Sequence, residues 1–121
     1  MASVTIYHNP RCGTSRKVLG LLRDRGIEPT VVEYLKTPPT KAALKKLVAH
    51  SDLSVRDFLR TREQTYKDLD LDNPKWTDNQ LLGFLAEHPI LLNRPVVETA
   101  KGARPCRPAE TVLELLSWES F

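Results

Sequence analysis

The chain has 121 residues, of which 40% are apolar and 27% charged, a balance typical of one soluble globular domain. No apolar run approaches the roughly 20 residues needed to span a bilayer, and the first residues do not form a charged segment followed by an apolar one, so we expect a cytoplasmic protein with no membrane partner. The formal net charge of +3 suits an anionic ligand, but it is too small and too scattered to indicate nucleic-acid binding.

The first part of the chain predicts a strand, a helix and a second strand. Residues 4–7 alternate and are rich in β-formers, which predicts the first strand. Residues 15–25 carry apolar side chains at helical spacing and are followed by Gly26, which suits a helix C-terminus. Residues 30–34 predict the second strand. One crossover helix between two strands indicates a parallel βαβ unit with right-handed connectivity.

Residues 40–88 predict a helical insertion. Pro38 and Pro39 precede it, and prolines cannot continue a central strand. Three N-cap signals follow, each predicting the start of a helix: Thr40, Ser54 with Asp57, and Thr77 with Gln80. The second helix should end near Arg60 and the third near Glu87, and the polar residues 61–75 between them should form a loop with at most one turn.

The last part of the chain predicts two strands and a helix. Residues 96–99 and 103–106 should be strands joined by a hairpin turn at Lys101-Gly102. Pro108 suits the first position of a final helix, whose apolar stripe is Val112, Leu113, Leu115 and Leu116. The order is therefore βαβ, a helical insertion and ββα, which predicts a single α/β domain over residues 1–121.

The junction between the first strand and the first helix holds the residue best suited to chemistry, Cys12. A thiol with a pKa of ~8.5 is only a few per cent thiolate near neutrality. The N–H groups of a helix start would favour the thiolate, and Gly13 would let the backbone fold tightly around the sulfur. Positive charge would come from Arg11, Arg16, Lys17 and, if protonated, His8.

The same donors would hold an oxyanion beside the sulfur. The alternative is that Cys12 is a small buried apolar residue. Its place at a polar, glycine-containing junction favours a nucleophile instead.

A second thiol is missing where a Cys-x-x-Cys pair would carry it, because position 15 is a serine. Cys12 therefore needs an external thiol to clear a mixed disulfide. The other cysteine, Cys106, is interpreted as buried packing, with pairing to Cys12 left open. The cysteines, His50 and His88 lack metal-ligand spacing, so no metal is expected.

Three separated stretches carry a family resemblance. They are HNPRCGTSR at residues 8–16, LRTR at residues 59–62, and HPILLNRP at residues 88–95 leading to CRP at residues 106–108. In this order and spacing they resemble the glutaredoxin-dependent arsenate reductases of the thioredoxin-like superfamily. The similarity extends from Val4 to about Leu116. It implies a thioredoxin-like fold with a mixed four-stranded sheet and the helical insertion described above.

The resemblance also implies roles for individual residues. The three positions that bind the oxyanion in that family correspond to Arg60, Arg94 and Arg107, and a guanidinium suits this work because its planar fork donates two parallel hydrogen bonds. His8 would help to lower the pKa of Cys12. The loop residues Gly13, Thr14 and Ser15 would donate hydrogen bonds to the substrate. The resemblance favours a cis Arg94–Pro95 bond, which the sequence alone does not show. The remaining nearby arginines are interpreted as structural or peripheral: Arg56, Arg62 and Arg104.

The implied reaction is reduction of arsenate to arsenite. The Cys12 thiolate would attack arsenate, glutathione would attack the adduct, and glutaredoxin would take up the glutathione so that arsenite leaves. Glutathione is then a co-substrate, no cofactor is bound, and we expect a monomer.

Two other classes remain open. One is a thiol-dependent reductase or transferase of the same superfamily with another substrate. The other is a non-enzymatic regulator that docks on RNA polymerase. Such regulators typically carry Cys-x-x-Cys near the N-terminus, whereas this chain has Ser15, and the three matching arginines favour the enzyme.

Overall fold

The computed structural model describes residues 4–116, which form a mixed four-stranded sheet with helices on both faces. The strands are β1 (Thr5–His8), β2 (Thr30–Glu33), β3 (Val96–Thr99) and β4 (Gly102–Pro105). The α-helices are α1 (Gly13–Asp24), α2 (Lys41–Ala49), α3 (Gln64–Asp68) and α4 (Asp78–Glu87). Three 3-10 helices cover Val55–Phe58, Pro89–Leu91 and Ala109–Leu115.

The sheet has the strand order β2-β1-β3-β4. Strand β1 is parallel to β2, with Thr5 opposite Thr30, and antiparallel to β3, with Ile6 opposite Val97. Strands β3 and β4 form an antiparallel hairpin. The predicted α/β class and the predicted order of βαβ, helical insertion and ββα are confirmed. Among residues 4–116, no helix combines the length and apolar character that a membrane crossing requires.

Two apolar clusters cover the two faces of the sheet, because neighbouring residues of a strand point to opposite sides. Val96 packs into the cluster under the helical insertion, together with Phe58, Leu81 and Leu91. Its neighbour Val97 packs into the other cluster, whose buried members from α1 and the last 3-10 helix are Val18, Leu22, Ala109, Val112, Leu115 and, just beyond it, Leu116. The insertion thus supplies most of the apolar cluster on one face of the sheet.

The predicted N-caps of α2 and α4 are confirmed. Thr40 Oγ1 accepts a hydrogen bond from the Ala43 N–H at 3.1 Å. At the start of α4, the Gln80 N–H donates to Thr77 Oγ1 at 3.2 Å, and the Thr77 N–H donates to Gln80 Oε1 at 2.9 Å. This reciprocal pair satisfies two N–H groups that have no partner inside the helix.

The final helix differs from the prediction. It is a 3-10 helix rather than an α-helix, and Pro108 caps it instead of forming its first residue. The buried residues Ala109, Val112 and Leu115 are spaced by three, which matches the three residues per turn of a 3-10 helix. The segment capped by Ser54 is likewise a short 3-10 helix, and the predicted loop at 61–75 contains α3 as its single turn.

The hairpin between β3 and β4 requires a glycine at its end. Gly102 has φ +145, and a Cβ there would lie 3.1 Å from the backbone oxygen of His50. A side chain at this position would therefore be strained and crowded. The close approach holds the hairpin against the end of α2.

Candidate active site

Cys12 stands where β1 leads into α1. It is the N-cap residue of the helix, with extended backbone angles, and its carbonyl oxygen accepts the first helical hydrogen bond, from Arg16 N–H at 3.0 Å. Its own N–H donates to the Asn9 carbonyl at 3.0 Å, which closes the loop before the helix. The thiol is free and partly buried. The sulfur therefore lies beside the free N–H groups of the first helical turn.

Opposing effects act on the pKa of the Cys12 thiol. Burial by itself raises it, but hydrogen bonds to the thiolate from the Ser15 N–H, the Arg94 side chain, the Thr14 N–H and the Arg107 side chain lower it, and the net pKa lies below the ordinary value. Arg107 Nη1 lies 3.8 Å from Sγ. The helix start and two arginines thus favour the thiolate together.

We expect Cys12 to react as a thiolate below the pH at which an ordinary thiol does. The rate of alkylation by iodoacetamide should follow a titration whose midpoint lies under the free-thiol pKa of ~8.5. The midpoint moves to lower pH because the hydrogen bonds stabilise the thiolate, which makes the thiol a stronger acid. The same titration in Cys106→Ala isolates Cys12. A midpoint at or above that of a free thiol contradicts the expectation.

A short antiparallel contact brings Arg60 next to Arg94. Leu59 and Leu92 form an isolated bridge, and the Arg60 N–H donates to the Leu91 carbonyl at 2.7 Å. In return the Asn93 N–H donates to the Phe58 carbonyl at 2.8 Å. The end of one segment of the insertion is therefore fixed against the chain entering β3, although 34 positions separate the two arginines in the sequence.

Arg107 is held against the Arg94–Pro95 segment. The Cys106 N–H donates to the Pro95 carbonyl at 2.8 Å, and Arg107 Nη1 donates to the Arg94 carbonyl at 3.1 Å. The Arg94–Pro95 bond is cis, as the resemblance favoured, and the Arg107–Pro108 bond is also cis. A cavity of about 250 Å³ opens here, lined by Leu59, Arg60, Thr61, Arg62, Asn93 and Arg107. The structure thus brings Arg94 and Arg107 to the Cys12 sulfur, and it places Arg60 on the wall of the cavity that Arg107 also lines.

Glu63 was not predicted as a site residue. Its Oε1 lies 3.0 Å from Arg60 Nε and 3.5 Å from Arg94 Nη1, so one carboxylate oxygen links the two arginines. The sequence offered one signal, the i, i+3 spacing of Arg60 and Glu63, which is the separation at which helical side chains meet. The segment looked like an exposed loop, and the contact with Arg94 depends on the tertiary structure.

Tyr34 is a second residue that sequence reasoning missed. It is fully buried, and its hydroxyl lies near Arg94 and Asn9 without a well-aligned hydrogen bond to either. The pKa of Tyr34 is raised, mainly by burial, although Arg94 and Asn9 act to lower it. The charge on Cys12 also raises this pKa, which shows that the Tyr34 hydroxyl lies close to the reactive sulfur. The available signal was its position just after β2, because the carboxyl ends of parallel strands meet at one edge of a sheet.

Unpartnered buried atoms concentrate at this site. In the described part of the chain, the buried side-chain atoms without a hydrogen bond are Tyr34 Oη, Arg60 Nε and Arg94 Nε. Arg60 Nε is close enough to Glu63 for an ion pair but is poorly aligned for a hydrogen bond. Buried polar groups are nearly always satisfied, so three exceptions in one region require an explanation, and a catalytic role is one of the accepted explanations.

His8, the last residue of β1, is buried and does not supply positive charge to Cys12. Burial is the main reason that its pKa lies below the ordinary value, so the ring is neutral near neutral pH. His8 Nδ1 lies 2.6 Å from Ser15 Oγ, which already accepts a hydrogen bond from the Asn9 N–H. We assign the Ser15 hydroxyl as the donor and His8 Nδ1 as the acceptor of this hydrogen bond. The positive charge that His8 would add if it were protonated is therefore not expected near neutral pH.

The loop residues also differ from expectation in part. Ser15 is fully buried and its hydroxyl is committed to His8, so its contribution at the sulfur is its backbone N–H. A Cβ on Gly13 would have only an ordinary contact, 3.9 Å to Arg16 Nη2, so tight folding does not require a glycine there. Lys17 pairs with Glu110 at 2.8 Å, and Arg16 donates to the Pro10 carbonyl. The cations that lower the pKa of Cys12 are Arg94 and Arg107 instead.

Cys106 is part of the core. It is fully buried in the cluster under α1, and its thiol donates to the Arg104 carbonyl at 3.5 Å. Burial raises the pKa of this thiol to about 12, so it is neutral near neutral pH. The interpretation as buried packing is confirmed, and a protonated, enclosed thiol is poorly suited to attack a disulfide at Cys12.

The arginines interpreted as structural or peripheral lie outside the Cys12 centre. Arg56 donates to the carbonyls of Leu71 and Asn73. Arg104 pairs with Asp52 and Glu114 near a second cavity of about 330 Å³. That cavity is larger, but none of Arg60, Arg94 and Arg107 lines it. The smaller cavity is lined by Arg60 and by Arg107, whose Nη1 lies 3.8 Å from Cys12 Sγ, so we place the reactive chemistry there. Arg62 is exposed on the wall of the smaller cavity.

Comparison with known proteins identifies what the chain is similar to. The model of the ArsC family matches residues 7–115. The arsenate reductase of Escherichia coli strain K12 is 52% identical over 116 residues, which cover 96% of this chain and 82% of that protein. The arsenate reductase of Rhizobium meliloti is 51% identical over 114 residues, which cover 94% and 81%. A solved arsenate reductase from Vibrio cholerae superposes with a TM-score of 0.91 at 45% identity, covering 94% of this chain and 98% of that one.

Proposed function

The chain belongs to the ArsC family of thioredoxin-like proteins, and from this premise we propose that it is an arsenate reductase that uses Cys12 as its nucleophile. The observation that carries the proposal is the environment of Cys12, where the helix start, Arg94 and Arg107 all donate to the sulfur. These groups stabilise the thiolate before reaction. They are also placed to bind an oxyanion that approaches it.

The chemistry begins with attack of the thiolate on arsenic. A sulfur–arsenic bond forms, and one oxygen leaves as water after protonation. Arg60, Arg94 and Arg107 would offset the charge of the bound oxyanion and of the leaving oxygen. Arg107 is the most exposed of the three and lines the cavity, so it is the first to meet an incoming anion.

Reduction then requires two electrons from thiols outside the chain. Glutathione would form a second sulfur–arsenic bond and release another oxygen as water. A glutaredoxin thiol would next attack the glutathione sulfur, forming a mixed disulfide and leaving the electron pair on arsenic. Hydrolysis of the remaining sulfur–arsenic bond releases arsenite and returns Cys12. Glutathione is proposed because Ser15 provides no thiol and Cys106 is buried and protonated.

The test compares reductants. Coupled NADPH oxidation with arsenate should require glutathione together with glutaredoxin, and thioredoxin should substitute poorly, because Cys12 alone cannot form the intramolecular disulfide that thioredoxin reduces. Cys106→Ala should behave as the wild type does. Full turnover with thioredoxin alone that is lost in Cys106→Ala would make Cys106 a resolving cysteine and would refute the proposed route. Absence of turnover in both systems, with capture of RNA polymerase, would favour the regulatory class.

A further inference from the structure

The proposed oxyanion site contains a negative charge of its own. Glu63 Oε1 contacts both Arg60 and Arg94, at 3.0 and 3.5 Å, and neither ion pair uses Oε2. The carboxylate is mostly buried, with 20% of its side chain exposed. An oxyanion that binds to these arginines therefore meets a carboxylate at short range.

Glu63 is not explained as a helix cap. It is the N-cap residue of α3, but its side chain makes no capping hydrogen bond. The carboxylate instead belongs to an alternating series of charges, in which Arg94 interacts with the Cys12 thiolate on one side and with Glu63 on the other. Arg60 extends the series beyond Glu63.

A carboxylate at an anion site has a specific chemical consequence. Ionised carboxylates only accept hydrogen bonds. Arsenate near neutral pH keeps at least one hydroxyl, which can donate to such an acceptor, whereas sulfate has lost all its protons and faces the carboxylate with repulsion alone. Sites built to bond a substrate hydroxyl reject analogues that lack it, because the buried polar group is left unpaired.

We propose that Glu63 is a specificity-determining residue, which favours oxyanions that carry a proton over fully ionised ones of the same shape and charge. This inference rests on the proposed function, because it takes the three arginines as the oxyanion site. Glu63 also holds Arg60 and Arg94 in position, but its role in selectivity goes beyond positioning. A site built only from cations would bind sulfate and phosphate alike. The Glu63 carboxylate adds a hydrogen-bond acceptor, which only an oxyanion with a hydroxyl can use.

The test measures binding of phosphate and sulfate by calorimetry at a slightly alkaline pH, where both are mainly dianions and differ by one hydroxyl proton. The wild type should bind phosphate more tightly than sulfate. In Glu63→Gln the amide can donate to sulfate, so the preference should fall by about ten- to hundredfold, the range expected for a hydrogen bond to a charged group. Asp68→Asn is the matched control, since it removes an exposed carboxylate at the end of the same short helix.

The ratio of the two affinities separates selectivity from a merely structural role. Displacement of the arginines would weaken phosphate and sulfate by the same factor and leave the ratio unchanged, and that result would overturn the inference. So would a wild type that binds sulfate as tightly as phosphate. Arsenate turnover by the wild type is measured separately and reports on the proposed function. If the wild type shows no turnover but Glu63→Gln still loses the preference for phosphate, the selective anion site is supported and the proposed reductase activity is refuted.

Discussion

Cys12→Ser is expected to abolish arsenate reduction while leaving the fold intact. A serine hydroxyl remains protonated near neutral pH, whereas the Cys12 thiol has a pKa lowered by Arg94, Arg107 and the helix N–H groups. Serine also cannot form the sulfur–arsenic bond or return an electron pair through a disulfide. The loss of turnover should be at least about a thousandfold, as expected when a nucleophile is removed.

The fold should tolerate this change because Cys12 is only partly buried and belongs to neither apolar cluster. The stability cost should lie within about 0.5 kcal/mol. Circular dichroism and an arsenite-release assay measure the two effects. Cys106→Ala is the matched control, and it should keep its activity with a modest loss of stability, because its thiol packs in the core. Turnover that persists in Cys12→Ser would refute the central proposal.

Arg94→Ala should produce the second largest effect, a fall in kcat/KM of about a hundred- to a thousandfold, the usual cost of removing a donor that stabilises developing charge. Arg94 interacts with the Cys12 thiolate and with Glu63, and 14% of its side chain is exposed. Its removal takes a donor from the sulfur and leaves Glu63 with Arg60 as its ion-pair partner. Lysine should rescue only in part, because a point charge lacks the planar fork.

The pH profile supplies a second measurement on Arg94→Ala. The hydrogen bond from Arg94 lowers the pKa of Cys12, so its loss should raise that pKa and move the acidic limb of kcat/KM to higher pH. Arg104→Ala is the matched control, because Arg104 is also a partly buried, ion-paired arginine but its partners are Asp52 and Glu114. An Arg94→Ala variant with wild-type kcat/KM and an unshifted profile would show that the anion site lies elsewhere.

Local physical chemistry made much of this protein predictable from its sequence. A cap depends on residues three positions apart, so Thr40 and Thr77 marked the starts of α2 and α4 correctly. Strand alternation and a single crossover helix indicated the parallel pair of β1 and β2. Cys12 could be singled out as the candidate nucleophile for the same reason: the N–H groups of the helix start that act on its sulfur belong to its neighbours in sequence.

Only the tertiary structure determined the charges and contacts that arise where segments distant in sequence meet. The free energy of a charged group depends on its burial and on every charge nearby, and neither can be computed from neighbours in sequence. His8 is therefore neutral, and the cations that act on Cys12 come from positions 94 and 107 instead of from the adjacent Arg11, Arg16 and Lys17. For the same reason Glu63 emerged as a site residue only once the antiparallel contact of Leu59 with Leu92 had placed Arg60 beside Arg94.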